Sequence, residues 1–370
     1  MPHGKPPFRA DHVGSLLRPP ELREARAARA EDRLDPAALR AVEDRCVRDA
    51  IATQRETGLR AVTDGEYRRA FWHFDFLARL GGVEMYEADQ GIQFKGGQTK
   101  AYGLKVTGPI RWQPHPFVED FRFVAANAGP GAVPKQTIPS PSVLHFRGGR
   151  RAVDTHAYPE MEGFFADLGA AYAGAVSAFA EAGCRYLQLD EVNIAYLCDP
   201  EQIEQLRQRG ERVEGLLETY AALINRAVEG RPADMVVSMH LCRGNFRSMH
   251  IASGGYDPVA EVLFNRIDVD AYFMEYDTER AGTFAPLRFL PKGKTVVLGL
   301  VTSKTGELEG KDALKRRIEE AAKFAPIEQL AISPQCGFAS TEEGNLLTVE
   351  QQWAKLALCV EVAREVWGGV

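Results

Sequence analysis

Short apolar runs alternate with longer helix-patterned stretches along nearly the whole chain, and this alternation restricts the fold more than any other feature. The runs are Arg9 to Val13, Leu59 to Thr63, Leu104 to Thr107, Tyr186 to Leu189, Met235 to Met239, Val269 to Phe273, Val296 to Leu300 and Leu330 to Ser333. Helical patterns cover Pro36 to about Thr57, Pro159 to Ala182, Pro200 to Val228, Pro258 to Phe264, Lys311 to Phe324 and Thr348 to Val366. Strands separated by helices pair in parallel, because a helical crossover carries the chain back to the same end of the sheet. Eight runs in 370 residues predict an α/β fold, a single (β/α)8 TIM barrel over residues 1–370. A doubly wound sheet is the alternative, but no G-x-G-x-x-G follows the first run. Two segments rich in Gly, Pro and polar residues, about 85–103 and 129–151, break the alternation and are expected as insertions over the C-terminal face of the barrel.

The net charge of −6 gives no basic surface of the kind that nucleic acid or an anionic membrane attracts. The segment REARAAR, Arg23 to Arg29, lies in a helical pattern with interleaved Glu and reads as a solvated helix face. No apolar run reaches the roughly 18 residues that span a bilayer. The start, MPHGKPPFRA, has no apolar signal-peptide core, so cytoplasmic residence is the default expectation. Six cysteines are too sparse for a disulfide framework in a reducing compartment, so a cysteine with a task is expected to be a ligand or a nucleophile. Cys46 and Cys359 fall in helical patterns and Cys184 precedes a strand, all as core residues; Cys198 falls in a loop.

Barrel chemistry gathers where the strands end. After the successive runs come Ser15, Asp64 with Glu66, Gly108, Asp190 with Glu191, His240 with Cys242, Glu275 with Asp277, Thr302 to Lys304, and Cys336. Residues i and i+2 of an extended chain share a face, so His240 and Cys242 are expected to project together. With Glu275 and Cys336 they offer one imidazole, two thiolates and one carboxylate, a donor set suited to tetrahedral zinc. The plainer reading makes Glu275 and Cys336 an unrelated ion-pair partner and turn residue. Glu66, Asp190 and Glu191 have no evident basic partners and suit a substrate ammonium group; the plainer reading makes each a helix N-cap.

The motifs HVGS (His12 to Ser15), TDGEY (Thr63 to Tyr67), LQLDE (Leu187 to Glu191), MHLC (Met239 to Cys242), MEYD (Met274 to Asp277) and SPQCGF (Ser333 to Phe338) resemble, in order, the catalytic domain of cobalamin-independent methionine synthase. The resemblance covers residues 12 to 338 and implies a barrel with one catalytic Zn2+ on His240, Cys242, Glu275 and Cys336. It also implies that Ser15, Glu66 and Asp190 hold the amino acid part of homocysteine, whose thiol receives a methyl group to give methionine. Metal coordination deprotonates a thiol, and the thiolate is the nucleophile. The methyl donor implied is methyltetrahydrofolate or a methylcorrinoid, the latter bringing in a corrinoid or donor protein as partner.

Two departures from the family stand out. The family's enzyme has two barrel halves and this chain has the length of one. After the seventh run the family places a histidine, the proposed acid for the leaving folate, whereas Val297 to Thr305 contains none. Lys304 falls nearest by position and is the candidate catalytic residue. Aromatic residues in two places, Trp112, Phe117, Phe121 and Phe123 and the run Phe71-Trp72-His73-Phe74-Asp75-Phe76, suit either lid packing or stacking on a flat donor. Alternative functions are alkyl transfer to another thiol such as coenzyme M, served by Arg68, Arg69, Arg243 or Lys304; a partner-dependent methyl-shuttling zinc component; and a zinc-free decarboxylase, which the full ligand set argues against.

Overall fold

The computed structural model describes residues 4–370. Six strands form one parallel sheet, each beside its successor in sequence: Gln136–Pro139, Tyr186–Glu191, Val236–Leu241, Ala271–Glu275, Thr295–Val301 and Leu330–Pro334. At one edge Ala10 bridges in parallel to Ile332. At the other, Ala61–Val62 pairs in parallel with Val133–Pro134, which runs directly into Gln136–Pro139. Leu16 N donates to Gly65 O at 2.9 Å and Thr63 Oγ1 to Gly14 O at 2.7 Å, joining the first segment to the second and closing the ring. The result is the expected (β/α)8 barrel.

Local chemistry explains the elements. Every residue of Tyr186–Glu191 and Thr295–Val301 is buried, as barrel strands covered by helices require. The helix Pro36–Thr57 starts at Asp35, whose side chain accepts from Ala38 N at 2.9 Å, and ends at Gly58 with φ 99°, a left-handed stop open to glycine. The helix Val349–Trp367 begins with a capping box of Thr348 and Gln351. The helix Met161–Glu181 has the length and apolar composition to cross a membrane, yet Leu168, Tyr172, Ala175 and Phe179 bury its inner face in the core.

The structure corrects three expectations. Leu104 to Thr107 is not a barrel strand; it lies in Tyr102–Arg111, which pairs antiparallel with Gly81–Glu87 as a hairpin. Residues 85–103 belong to this longer hairpin. The third barrel strand is instead Gln136–Pro139 with its lead-in Val133–Pro134, inside the segment 129–151 expected as an insertion. Its sequence lacks an apolar pattern because the barrel interior is polar there. The buried Lys135 ammonium donates to His12 O at 2.6 Å and stands 3.3 Å from Asp11 Oδ1. Finally, Pro200 to Val228 is two helices, Pro200–Gln208 and Leu216–Val228, split where Gly210 and Gly215 take positive φ.

Burial holds His12, His115 and His145 neutral, each with its pKa pushed down to about 4. The unfolded chain binds protons at these positions from about pH 6.5 downward, and the folded chain does not until about pH 4. The sign is therefore a loss of stability as pH falls through that window, with a slope of about 1.4 kcal/mol per pH unit for each histidine. Thermal melts from pH 7.5 to 4.5 are expected to show a steady fall in Tm; a flat profile would contradict neutral burial.

Candidate metal centre and adjoining cavity

His240 lies in the strand Val236–Leu241, and Cys242 N continues the ladder by donating to Glu191 O at 3.1 Å. Extended geometry therefore persists past the strand end, and the two side chains share a face as expected. Cys336 arrives from the last strand, where Gln335 N donates to Val301 O at 2.7 Å. Gly337 is required next, because a Cβ there would stand 2.0 Å from Ser15 Oγ. One ligand atom from each of His240, Cys242 and Cys336 lies within 4.8 Å of the others, and all three residues are buried.

The donor set fits zinc. The Cys242 and Cys336 sulfurs are 3.5 Å apart, close to the roughly 3.8 Å that two Zn–S bonds of about 2.3 Å subtend in a tetrahedron. Both ring nitrogens of His240 are buried with no hydrogen-bond partner other than the Cys336 sulfur beside them, an arrangement that suits a shared metal. The hydrogen bond from the Cys242 thiol holds Cys336 well below the usual thiol range and pushes Cys242 well above it. Gly244 N also donates to Cys242 Sγ at 3.3 Å.

Glu275 is fully buried beside this cluster, but its oxygens are engaged elsewhere. Arg243 N donates to Oε1 at 2.7 Å and Arg280 Nη2 to Oε2 at 3.2 Å. Burial alone would raise its pKa; Lys304, Arg280 and Arg243 together hold it below the ordinary carboxylate value. The structure thus brings His240, Cys242 and Cys336 together and leaves Glu275 outside the group of mutually close ligand atoms. Lys304 Nζ is buried with no hydrogen-bond partner, and its charge acts on Cys242, Glu275 and Asp277. It lines neither cavity described here.

A cavity opens over the sulfurs, lined among others by Ser15, Glu66, Asp190, His240, Cys242 and Cys336. Two of its carboxylates are held in place. Glu66 has φ 60°, left-handed backbone in a non-glycine residue, of the kind that clusters at functional sites. Contrary to the sequence reading it has a basic partner: Arg69 Nη1 is 3.4 Å from Oε1, and Thr137 Oγ1 donates to the same oxygen at 2.8 Å. Gln188 Nε2 donates to Asp190 Oδ1 at 2.7 Å. Burial and the nearby Glu66 charge raise the Asp190 pKa to about 7. Burial likewise raises Glu66, against the pull of Arg69. Arg69 pairs with Glu66 while Asp190 has the neutral Gln188 amide as its hydrogen-bond donor, an arrangement with room for a substrate cation.

Glu191 is not part of this cavity. Its carboxylate accepts from Ser142 Oγ at 2.6 Å, Asn193 N at 2.7 Å and Ile194 N at 3.0 Å, which is the capping role weighed against substrate binding. Sequence reasoning missed Thr137 and Gln188, and it offered Arg69 only as a cation for a sulfonate, not as the partner of Glu66. Arg69 had a signal in its spacing from Glu66, but Thr137 lay in the segment taken for an insertion. Of the aromatic residues, Phe117 and Phe121 are buried in the core, whereas Phe71, Trp72 and His73 line the cavity. An outer cavity of about 420 Å³, bounded by the hairpin and including Phe74, Tyr86 and Arg209, shares His73, Ile92, Phe94, Arg147 and Tyr196 with the inner one.

Residues 8–365 match the sequence profile of a family described as the catalytic domain of cobalamin-independent synthase. The chain is 49% identical over 365 residues to the uncharacterized protein YxjG of Bacillus subtilis strain 168, covering 98% of this chain and 96% of YxjG. It is also 49% identical over 364 residues to YxjH of the same strain, at the same coverage. A crystal structure of a candidate vitamin-B12-independent methionine synthase from Listeria monocytogenes is similar with a TM-score of 0.80 at 42% identity, covering 98% of this chain and 99% of that one. A B12-independent methionine synthase from Shewanella sp. W3-18-1, solved with selenomethionine, shares the fold with a TM-score of 0.72 at 20% identity, covering 97% of each chain.

Proposed function

The chain belongs to the catalytic-domain family of cobalamin-independent methionine synthases, and on that premise we propose that it transfers a methyl group to the thiol of homocysteine, using zinc. The observation that carries this reading is the sharing of one cavity by a thiolate-rich metal centre and two amine-seeking carboxylates. His240, Cys242 and Cys336 would hold the metal, with Glu275 as the adjacent carboxylate able to complete the set. Bound zinc would keep the substrate sulfur deprotonated and nucleophilic. Glu66 and Asp190 take the ammonium group, Ser15 lies beside them, and together they fix the direction of the substrate sulfur.

Thiols with a sulfonate tail are the weaker reading. Among the cations considered for them, Arg68 is paired with Asp44 at 2.5 Å, Arg69 lies against Glu66, and Arg243 lies over the Tyr256 ring at 3.9 Å. None of these three is free for a sulfonate.

The test is calorimetric titration of the zinc-loaded protein with L-homocysteine. Binding is expected to release protons and to weaken by about tenfold or more in Glu66→Gln, as one charge-assisted hydrogen bond is worth about 1.5–3 kcal/mol. The pH sign follows from the raised carboxyls. Below about pH 7 Asp190 retains a proton and loses its attraction for an ammonium, so affinity is expected to fall with falling pH. No binding by the folded, zinc-loaded protein would show that the barrel serves a different thiol.

A further inference from the structure

The inner cavity presents the sulfurs with aromatic neighbours: Phe71, Trp72, Phe94, Tyr196 and Phe246 all line it. The Phe94 and Phe246 rings stand 5.2 Å apart, and Trp72 lies 4.5 Å from the His73 ring, centroid to centroid. His73 lines both cavities and marks the neck between them. It is 1% exposed with neither ring nitrogen hydrogen-bonded, and burial together with the Arg147 charge keeps it neutral. The neck is thus walled by uncharged rings. Such walls attract a cation stripped of its water, as aromatic cages do for onium groups.

The same lining offers no group poised to protonate a leaving nitrogen or oxygen. Its two carboxyls, Glu66 and Asp190, are the ones that take the acceptor's ammonium group. His73, held neutral, has no acidic proton to give. Burial pushes the Tyr196 phenol up, further from acidity. Lys304, the candidate from sequence, lines neither cavity and faces the anionic Glu275 instead. A methyl donor whose leaving group departs neutral without a proton fits this site.

Outside the neck the charge changes sign. Arg147 lines both cavities and Arg209 the outer one. Neither has a carboxylate within ion-pair distance among the described residues, and the Nε of each is buried without a hydrogen-bond partner. Arg209 is pinned by donating to Arg147 O at 2.7 Å and Phe146 O at 3.1 Å. Burial and the nearby Arg147 charge lower the Arg209 pKa, against the pull of Glu211. Two guanidinium groups so placed suit a carboxylate, which takes charge-assisted hydrogen bonds from both.

We propose that the methyl donor is a methylsulfonium carboxylate, its sulfonium against the aromatic rings at the neck and its carboxylate on Arg147 and Arg209. This rests on the reading of the chain as a thiol methyltransferase. The acceptor thiolate forms the new S–C bond to the methyl carbon as the bond from that carbon to the sulfonium breaks. The electron pair of the broken bond stays on the donor sulfur, which leaves as a neutral thioether. One negative and one positive charge cancel, and no proton moves.

The test uses zinc-loaded protein first shown to bind homocysteine. It is offered dimethylsulfoniopropionate, trimethylsulfonium, which lacks the carboxylate, or N5-methyltetrahydrofolate, whose leaving nitrogen needs a proton. Wild type is expected to form methionine and methylthiopropionate from the first, and to use the folate about 100-fold less well or worse, the usual deficit where proton transfer is missing. Arg147→Met is expected to cut the preference for dimethylsulfoniopropionate over trimethylsulfonium by about tenfold or more, the worth of one charge-assisted hydrogen bond, and Arg147→Lys to restore part of it. Calorimetry of dimethylsulfoniopropionate with the metal-free protein should show the same weakening in Arg147→Met, independent of turnover. Absence of transfer from dimethylsulfoniopropionate, a folate used as well or better, or a donor preference unchanged in Arg147→Met would each overturn the proposal. Failure of wild type to bind homocysteine would instead overturn the thiol reading itself, and the donor assignment with it.

Discussion

Cys336→Ala is expected to strip the protein of its zinc and abolish methyl transfer. The centre assembled by the fold rests on three close ligand atoms, two of them sulfurs 3.5 Å apart. Metal affinities of about 10–16 kcal/mol shared among about four ligands put one ligand at roughly 3–4 kcal/mol, or about 10²–10³-fold in affinity. Turnover should fall further, because the remaining imidazole and thiol no longer favour the charged state of the site. Cys242 is then left as the one sulfur donor of the cluster. Zinc content after dialysis and competition with a chromophoric chelator read the effect directly. Cys198→Ala is the control: its thiol is buried against Ile194 O at 3.8 Å and lines no part of the inner cavity. Stoichiometric zinc retained in Cys336→Ala would exclude the proposed centre.

Lys135→Ala is expected to cost about 3–5 kcal/mol of stability, through the barrel interior rather than the metal site. Lys135 and Asp11 are both fully buried, and their charges stand 3.3 Å apart. Asp11 also accepts from His12 N at 2.7 Å and from Tyr186 OH at 2.9 Å. The Lys135 ammonium sits over the Phe273 ring at 4.1 Å, so it ties the first barrel segment to strands on the far side. Deleting one partner of such a pair leaves an uncompensated buried charge, which is where the cost arises. In a chain of this size the Tm should drop by about 4–6 °C. The paired change Asp11→Leu with Lys135→Met should recover much of the loss, since two apolar groups of similar volume need no partner. A Lys135→Ala melt indistinguishable from wild type would show that the ammonium is not desolvated.

The cluster of His240, Cys242 and Cys336 was legible because each lies at the end of a strong apolar run and the barrel brings such ends to one mouth. The geometry at His240 and Cys242 needed only the two-residue period of an extended chain. The third strand was not legible. Val133 to Pro139 reads as loop because its interior positions carry Lys135 and Thr137, whose partners Asp11, His12 and Glu66 are far away in sequence. Glu191 and Asp190 are neighbours with the same side-chain chemistry, yet one caps a helical turn and the other faces the cavity. No local pattern separates them.

What the sequence determined by itself was therefore whatever depends on short spacing: the alternation of strand and helix, the caps at Asp35 and Thr348, and the common face of His240 and Cys242. What only the tertiary structure decided was which polar groups meet. Thr137 on Glu66, Lys135 beside Asp11, and His73 left without a partner between two cavities each depend on residues tens to hundreds of positions apart, set by strand register and ring closure. Hydrophobic burial tolerates many neighbours and so leaves a repeating trace in the sequence. A buried charge or imidazole needs particular partners at hydrogen-bond distance, and those are chosen only when the barrel closes.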